Sequence, residues 1–147
     1  MNLNVINPKG EVYSNTSVYS ITIPTKQGII TVRKDHYPLI SLLDTGELEI
    51  ELEDHNKEYI FISSGIIRIE RNSNIYIMCD TSEFPSEIDI ESAIQAKENA
   101  EKYIKNAKDI SDTEFARLQG IIEKEVKRIE IARLRTINKE KIKVQVE

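Results

Sequence analysis

The hydrophobic period of this chain changes at Phe84-Pro85. Before that point apolar residues recur at every second position, and after it they recur at about every three and a half. A period of two belongs to a strand with one buried face, and a period near 3.6 belongs to an amphipathic helix. No single element satisfies both. The chain therefore reads as an all-β N-terminal domain over residues 1–84, a helical hairpin over residues 86–135 and a basic tail over residues 136–147.

The strand pattern is clearest in Glu47-Leu48-Glu49-Ile50-Glu51-Leu52-Glu53, where Leu48, Ile50 and Leu52 share one face and the carboxylates the other. Val18 to Ile23, Gly28 to Val32, Gly65 to Glu70 and Asn74 to Cys79 repeat the theme with β-branched residues. Turn chemistry separates them at Asn7-Pro8-Lys9-Gly10, Asp44-Thr45-Gly46, Asp54-His55-Asn56 and Arg71-Asn72-Ser73-Asn74. Many short strands with no helix between them read as an antiparallel β-sandwich or flattened barrel.

Beyond Pro85, Asp89 or Ser86 can cap a first helix whose stripe runs through Ala93, Ala96, Ala100, Tyr103 and Ala107. Small residues there let a partner helix approach closely. Ser111-Asp112-Thr113-Glu114 is a capping box for a second helix, and Ile110 and Phe115 sit at the two positions of a hydrophobic staple. Its apolar face runs through Phe115, Leu118, Ile122, Val126 and Ile129. The short connection Asn106 to Asp109 predicts an antiparallel hairpin. Gly120 is a weak spot inside the second helix, or a bend or close contact. Residues 136–147 read either as a frayed tail or, through Ile142, Val144 and Val146, as a strand formed on docking.

Charge is distributed unevenly about the net of −5. Lys124 to Lys143 holds 8 basic residues against 3 acidic ones, a local cation on an acidic chain. Without interleaved aromatics, this stretch fits an acidic protein surface better than nucleic acid. No apolar run is long enough to insert in a bilayer, and no secretory leader opens the chain. The lone Cys79 excludes an internal disulfide and reads as a buried thiol in a reducing compartment. His36 and His55 have no neighbouring ligands at metal spacing, no phosphate loop or nucleophile elbow is present, and Glu47 to Glu53 reads as a solvated face. A binding or mechanical role follows rather than catalysis, with no cofactor.

Several segments carry a family resemblance in order. Gly28 to Leu39 resembles the Gly-to-His-x-Pro-Leu segment of the bacterial F-type ATP synthase epsilon subunits, matching at His36, Pro38 and Leu39 and followed by Gly46. Ser64-Gly65 is similar to that family's Ser-Gly-Gly turn with one glycine lost, and Asn74 to Asp80 to its last sandwich strand. Ile88-Asp89, Ala93, Ala96-Lys97 and Ala100-Glu101 resemble its first helix. The likeness spans residue 3 to about residue 133.

The resemblance implies a non-catalytic rotor subunit on the cytoplasmic face of the membrane, which couples ring rotation to ATP synthesis and restrains hydrolysis through the hairpin. It places Ile29, Ile30, Asp35, His36 and Pro38 against the membrane c-ring and the gamma subunit. It sets Lys124, Lys127, Arg128, Arg133 and Arg135 against an acidic loop of the catalytic beta subunit. Ile29 and Asp35 depart from the acidic residue and the glycine that the family often carries there. Of an ATP-binding motif resembling Ile-Asp-x-Arg-Arg-Ala, only Ile88, Asp89 and Ala93 remain. Glu91 and Ser92 replace the arginines, which argues against specific ATP binding. A free-standing adaptor or ligand-sensing module is the alternative.

Overall fold

The computed structural model describes residues 1–146, with side chains through residue 138. The chain divides into two compact units, Met1–Phe84 and a second that begins at Pro85. The first contains ten strands: β1 (Asn2–Asn7), β2 (Gly10–Asn15), β3 (Val18–Thr25), β4 (Gly28–Arg33), β5 (Leu39–Leu43), β6 (Gly46–Leu52), β7 (Lys57–Ile62), β8 (Gly65–Ile69), β9 (Asn74–Cys79) and the two-residue β10 (Ser82–Glu83).

Their order is β10-β7-β6-β3-β5-β8-β9-β1-β2, with β4 also paired to β3. A single residue pair, Thr25 with Leu43, joins β3 to β5. The strands on either side of that corner, β4-β3-β6-β7-β10 and β5-β8-β9-β1-β2, form the two layers of the sandwich. Every pairing is antiparallel except β1 with β9, which runs parallel from Asn2↔Asn74 to Ile6↔Met78. The sequence reading expected an antiparallel sandwich and contained no sign of that one parallel pair.

The alternation expected in β6 is present: Leu48 and Ile50 are fully buried, while Glu47, Glu49 and Glu51 lie on the other face. Ile21, Ile23, Ile60, Ile62, Ile67 and Ile77 interleave with them in one core. Each such side chain stabilises the fold by about 1.5–3 kcal/mol on burial. At the rim, Tyr13 of β2 donates its hydroxyl to the Glu58 carboxylate of β7. Burial, and then that bond, push the phenol well above its ordinary pKa. Cys79 is buried, as expected, and burial raises its thiol pKa.

The second unit opens with a 3₁₀ turn at Pro85–Glu87, followed by α1 (Ile90–Asn106) and α2 (Asp112–Val146), which pack along each other. Asp89 is the cap of α1, whereas Ser86 falls in the 3₁₀ turn. Ala93 and Ala100 are buried and Ala96 and Ala107 half-buried, but Tyr103 is exposed and Ile104 takes the inward position. On α2, Leu118 and Ile129 are buried and Ile122 and Val126 half-buried, while Phe115 is exposed. Only half of the capping box forms. Ser111 Oγ accepts the Glu114 amide at 3.2 Å, but the Glu114 carboxylate turns to Arg117. Residues 136–146 are the continuation of α2, and residue 147 of the expected tail lies outside the described residues.

Candidate interaction surfaces

The strand registers bring together a row of outward apolar side chains that the sequence reading did not single out. Leu42 of β5 pairs with Ile66 of β8, Ile66 with Met78 of β9, and Met78 with Ile6 of β1. With strands about 4.8 Å apart, four members span roughly 15 Å. Leu42 is 60% exposed, Met78 40%, Ile66 39% and the neighbouring Ile40 71%. In the next row, Arg68 lays its guanidinium over the Tyr76 ring at 4.7 Å. Contiguous exposed apolar surface of this kind marks an interaction site. The signal was present in Leu42-Leu43 and Ile66-Ile67, where apolar residues occupy successive positions and thus both faces of a strand.

The layer containing β6 presents a different outer face. Lys57 donates to Glu49 at 2.9 Å, and His55 pairs with Glu51 at 3.0 Å. The His55 hydrogen bond is the main reason the Glu51 carboxyl lies below its ordinary pKa. This is a paired polar surface.

The five residues that the resemblance sets against the ring and gamma fall in two places. Ile29, 75% exposed, follows the β3–β4 turn, where Gly28 adopts φ +124°, a conformation that L side chains rarely take. Ile30 turns inward and packs on the core. Asp35, His36 and Pro38 lie past the other end of β4, where Asp35 adopts φ 63° and its amide donates to Ser73 Oγ at 3.2 Å. His36 Nδ1 donates to the Tyr37 carbonyl at 2.7 Å, which leaves Nε2 as its acceptor when the ring is neutral. Asp35 and His36 share a shallow groove of about 450 Å³ with Thr31, Arg33 and Lys34. Four residue steps of extended strand, about 13 Å, separate Ile29 from Arg33.

In the second unit, Ile88 and Ala93 are buried, while the Asp89 carboxylate accepts the Ser92 amide at 3.1 Å and the Ser92 hydroxyl at 3.0 Å. Those bonds, the amide's foremost, hold the Asp89 carboxyl below its ordinary pKa, and the Arg128 charge adds to them. The three residues left of the nucleotide motif thus serve here as packing and cap.

The α2 cations differ in availability. Lys124 is half-buried, Arg133 exposed and Arg135 half-buried. Lys127 pairs with Glu130 at 3.4 Å, not with Glu123 as helical spacing also allows. Arg128 meets Glu125 at 2.7 Å, with side chains only 14% and 8% exposed. Sequence reasoning missed Glu125, because a glutamate within a helical period counts as a solvent position. Among the described residues no helix is long and apolar enough to cross a membrane.

A ten-strand sandwich with an apolar outer row, followed by a two-helix hairpin, is a fold class that comparison with known proteins narrows. Residues 1–85 match the family model for the β-sandwich domain of the ATP synthase delta/epsilon chain. ATP synthase epsilon chains of Staphylococcus aureus strains JH9 and Newman are each 32% identical over 135 residues, covering 92% of this chain and 98% of theirs. A chain in the Euglena gracilis mitochondrial ATP synthase structure (OSCP/F1/c-ring, rotational state 1) superposes with a TM-score of 0.70 at 26% identity, covering 90% of this chain and 79% of its own length. A chain of the Tetrahymena thermophila mitochondrial ATP synthase central stalk and c-ring shares the fold at a TM-score of 0.63 and 12% identity, covering 88% and 96%. The chain belongs to the ATP synthase epsilon chain family.

Proposed function

We propose that this epsilon-family chain is a non-catalytic rotor subunit of a bacterial proton-translocating ATP synthase, seated on the central stalk at the cytoplasmic face of the cell membrane. The sandwich joins the gamma subunit and couples rotation of the membrane c-ring to ATP synthesis, and the hairpin restrains ATP hydrolysis. The observation that carries the reading is the apolar row Leu42, Ile66 and Met78, exposed on an otherwise well-packed sandwich. A part that transmits torque has to be stiff and firmly seated. The interleaved core supplies stiffness, and apolar surface removed from water supplies seating that needs no charge complementarity.

Two further contacts belong to the same reading. Ile29 at one end of β4 and Asp35, His36 and Pro38 past the other end face the ring. In the hairpin, α2 leaves α1 and carries Lys124, Lys127, Arg128, Arg133 and Arg135 toward the acidic loop of the beta subunit, which holds the rotor at one angle. Exposed charge pairs contribute about 0–1 kcal/mol each, so several act together. No cofactor and no chemical step are assigned to the chain.

The test is an assembled complex in which residues 86–147 of this chain are deleted. ATP hydrolysis is expected to rise while gamma and the ring still co-purify with the sandwich. Unchanged hydrolysis removes the inhibitory role, and loss of the chain from the stalk removes the rotor role of the sandwich.

A further inference from the structure

Glu125 is 6% exposed, an unusual position for a carboxylate on the face of a helix that packs along a partner. Arg128, one turn on, meets it at 2.7 Å, and the Arg128 charge also acts on Asp89 at the head of α1. The same three-residue spacing recurs at Lys127–Glu130, where the side chains are 51% and 59% exposed. Pairing on this helix therefore does not require burial. The positions that continue the stripe, Leu118, Ile122, Ile129 and Ala132, are all apolar. Withdrawing two ions from water carries a desolvation cost that can exceed their mutual attraction, and apolar side chains of similar size often hold such a site as well or better.

We infer that the Glu125–Arg128 pair is a built-in release for the hairpin. It keeps the packed face of α2 less stable than apolar residues would, and its hydration is restored when α2 leaves α1. Because the two residues lie one turn apart on the same helix, the pair travels intact. Opening changes its exposure and separates Arg128 from Asp89, whose carboxylate keeps its Ser92 bonds. Arg128 then joins Lys124 and Lys127 on the exposed helix. The inference rests on the hairpin-opening reading above, but its test uses the free full-length chain. Failure here leaves the deletion experiment standing, and failure there leaves this measurement standing.

The test compares amide hydrogen exchange in α2, between Leu118 and Ala132, with exchange in β6 and β7 of the same molecule. In the double variant Glu125→Leu with Arg128→Met, α2 exchange is expected to slow about tenfold while β6 and β7 are unchanged. Arg128→Met alone, which leaves a buried carboxylate, is expected to speed it. Unchanged or faster exchange in the double variant overturns the inference, as does equal slowing in β6 and β7. If the double variant does not fold, as judged by its helical circular dichroism, Glu125→Gln with Arg128→Gln decides instead. At least threefold slowing in α2 supports the release, and no slowing overturns it.

Discussion

Gly65 lies so close to the backbone of β9 that a methyl group on it would stand 2.1 Å from the Met78 carbonyl oxygen and 2.7 Å from the Cys79 α carbon. Both obstacles are main chain, held by the β8–β9 ladder through Gly65↔Cys79, so no side chain can swing aside. Gly65→Ala is expected to lower the stability of the sandwich by about 3 kcal/mol, since overpacking against fixed backbone forces the strands apart. Urea unfolding monitored by the β-sheet signal checks this. A loss below about 1 kcal/mol would show that the β8–β9 edge yields easily.

Gly120 is the opposite case. A Cβ built on it meets nothing within 4 Å, so no close contact among the described residues requires a glycine here. Gly120→Ala is expected to stabilise the helix by about 1 kcal/mol. Thermal unfolding followed by the helical signal checks the direction. A decrease would reveal a conformational demand at Gly120 other than space.

These two glycines mark what was legible in the sequence. The division at Pro85, the alternation of β6 and the cap at Asp89 could be read directly, because each depends on residues within one turn or one strand. β7 was missed because Tyr59-Ile60-Phe61-Ile62 is continuously apolar and shows no period. The outer row Leu42, Ile66, Met78 and Ile6 was missed because its members are far apart in sequence, and only strand register makes them neighbours. Residues 136–146 continue the helix: they contain no glycine or proline to end it, and Lys139, Glu140, Lys141, Lys143 and Gln145 are straight-chain helix formers. Tyr103 was placed one step off the packed stripe, an angular error that spacing alone does not correct, whereas Phe115 keeps the stripe's spacing but stands exposed in the first turn of α2.

Asp89 makes the hairpin sensitive to acid. Its folded pKa is depressed by the Ser92 bonds, so its contribution to stability is fully present above the unfolded value of about 3.9 and is lost as pH falls through the folded value. Asp89→Asn retains a capping side chain but removes the titration. Between about pH 5 and pH 2, the wild-type helices are therefore expected to lose more stability than those of the variant, other carboxylates being common to both. Melting of the helical signal across that range measures it. Parallel curves would mean that Asp89 titrates alike in the folded and unfolded chain.

The apolar row is open to a test that separates folding from assembly. Ile66 sits at the centre of the row, between Leu42 and Met78, with its side chain turned out of the core. Ile66→Glu is expected to change the stability of the free chain by no more than about 0.5 kcal/mol, as substitutions at exposed sites usually do. Where the row is covered by gamma, the same substitution buries an unpaired carboxylate at the centre of the contact. A loss of about 2 kcal/mol or more is typical of such positions, or about thirtyfold in affinity. Thr31→Glu, on the exposed outer side of β4 in the other layer, adds the same charge away from the row and serves as the control. Titration of gamma with each variant is expected to show weakened binding for Ile66→Glu alone. If Thr31→Glu weakens binding and Ile66→Glu does not, gamma meets the layer that contains β4, and the exposed row has some other partner.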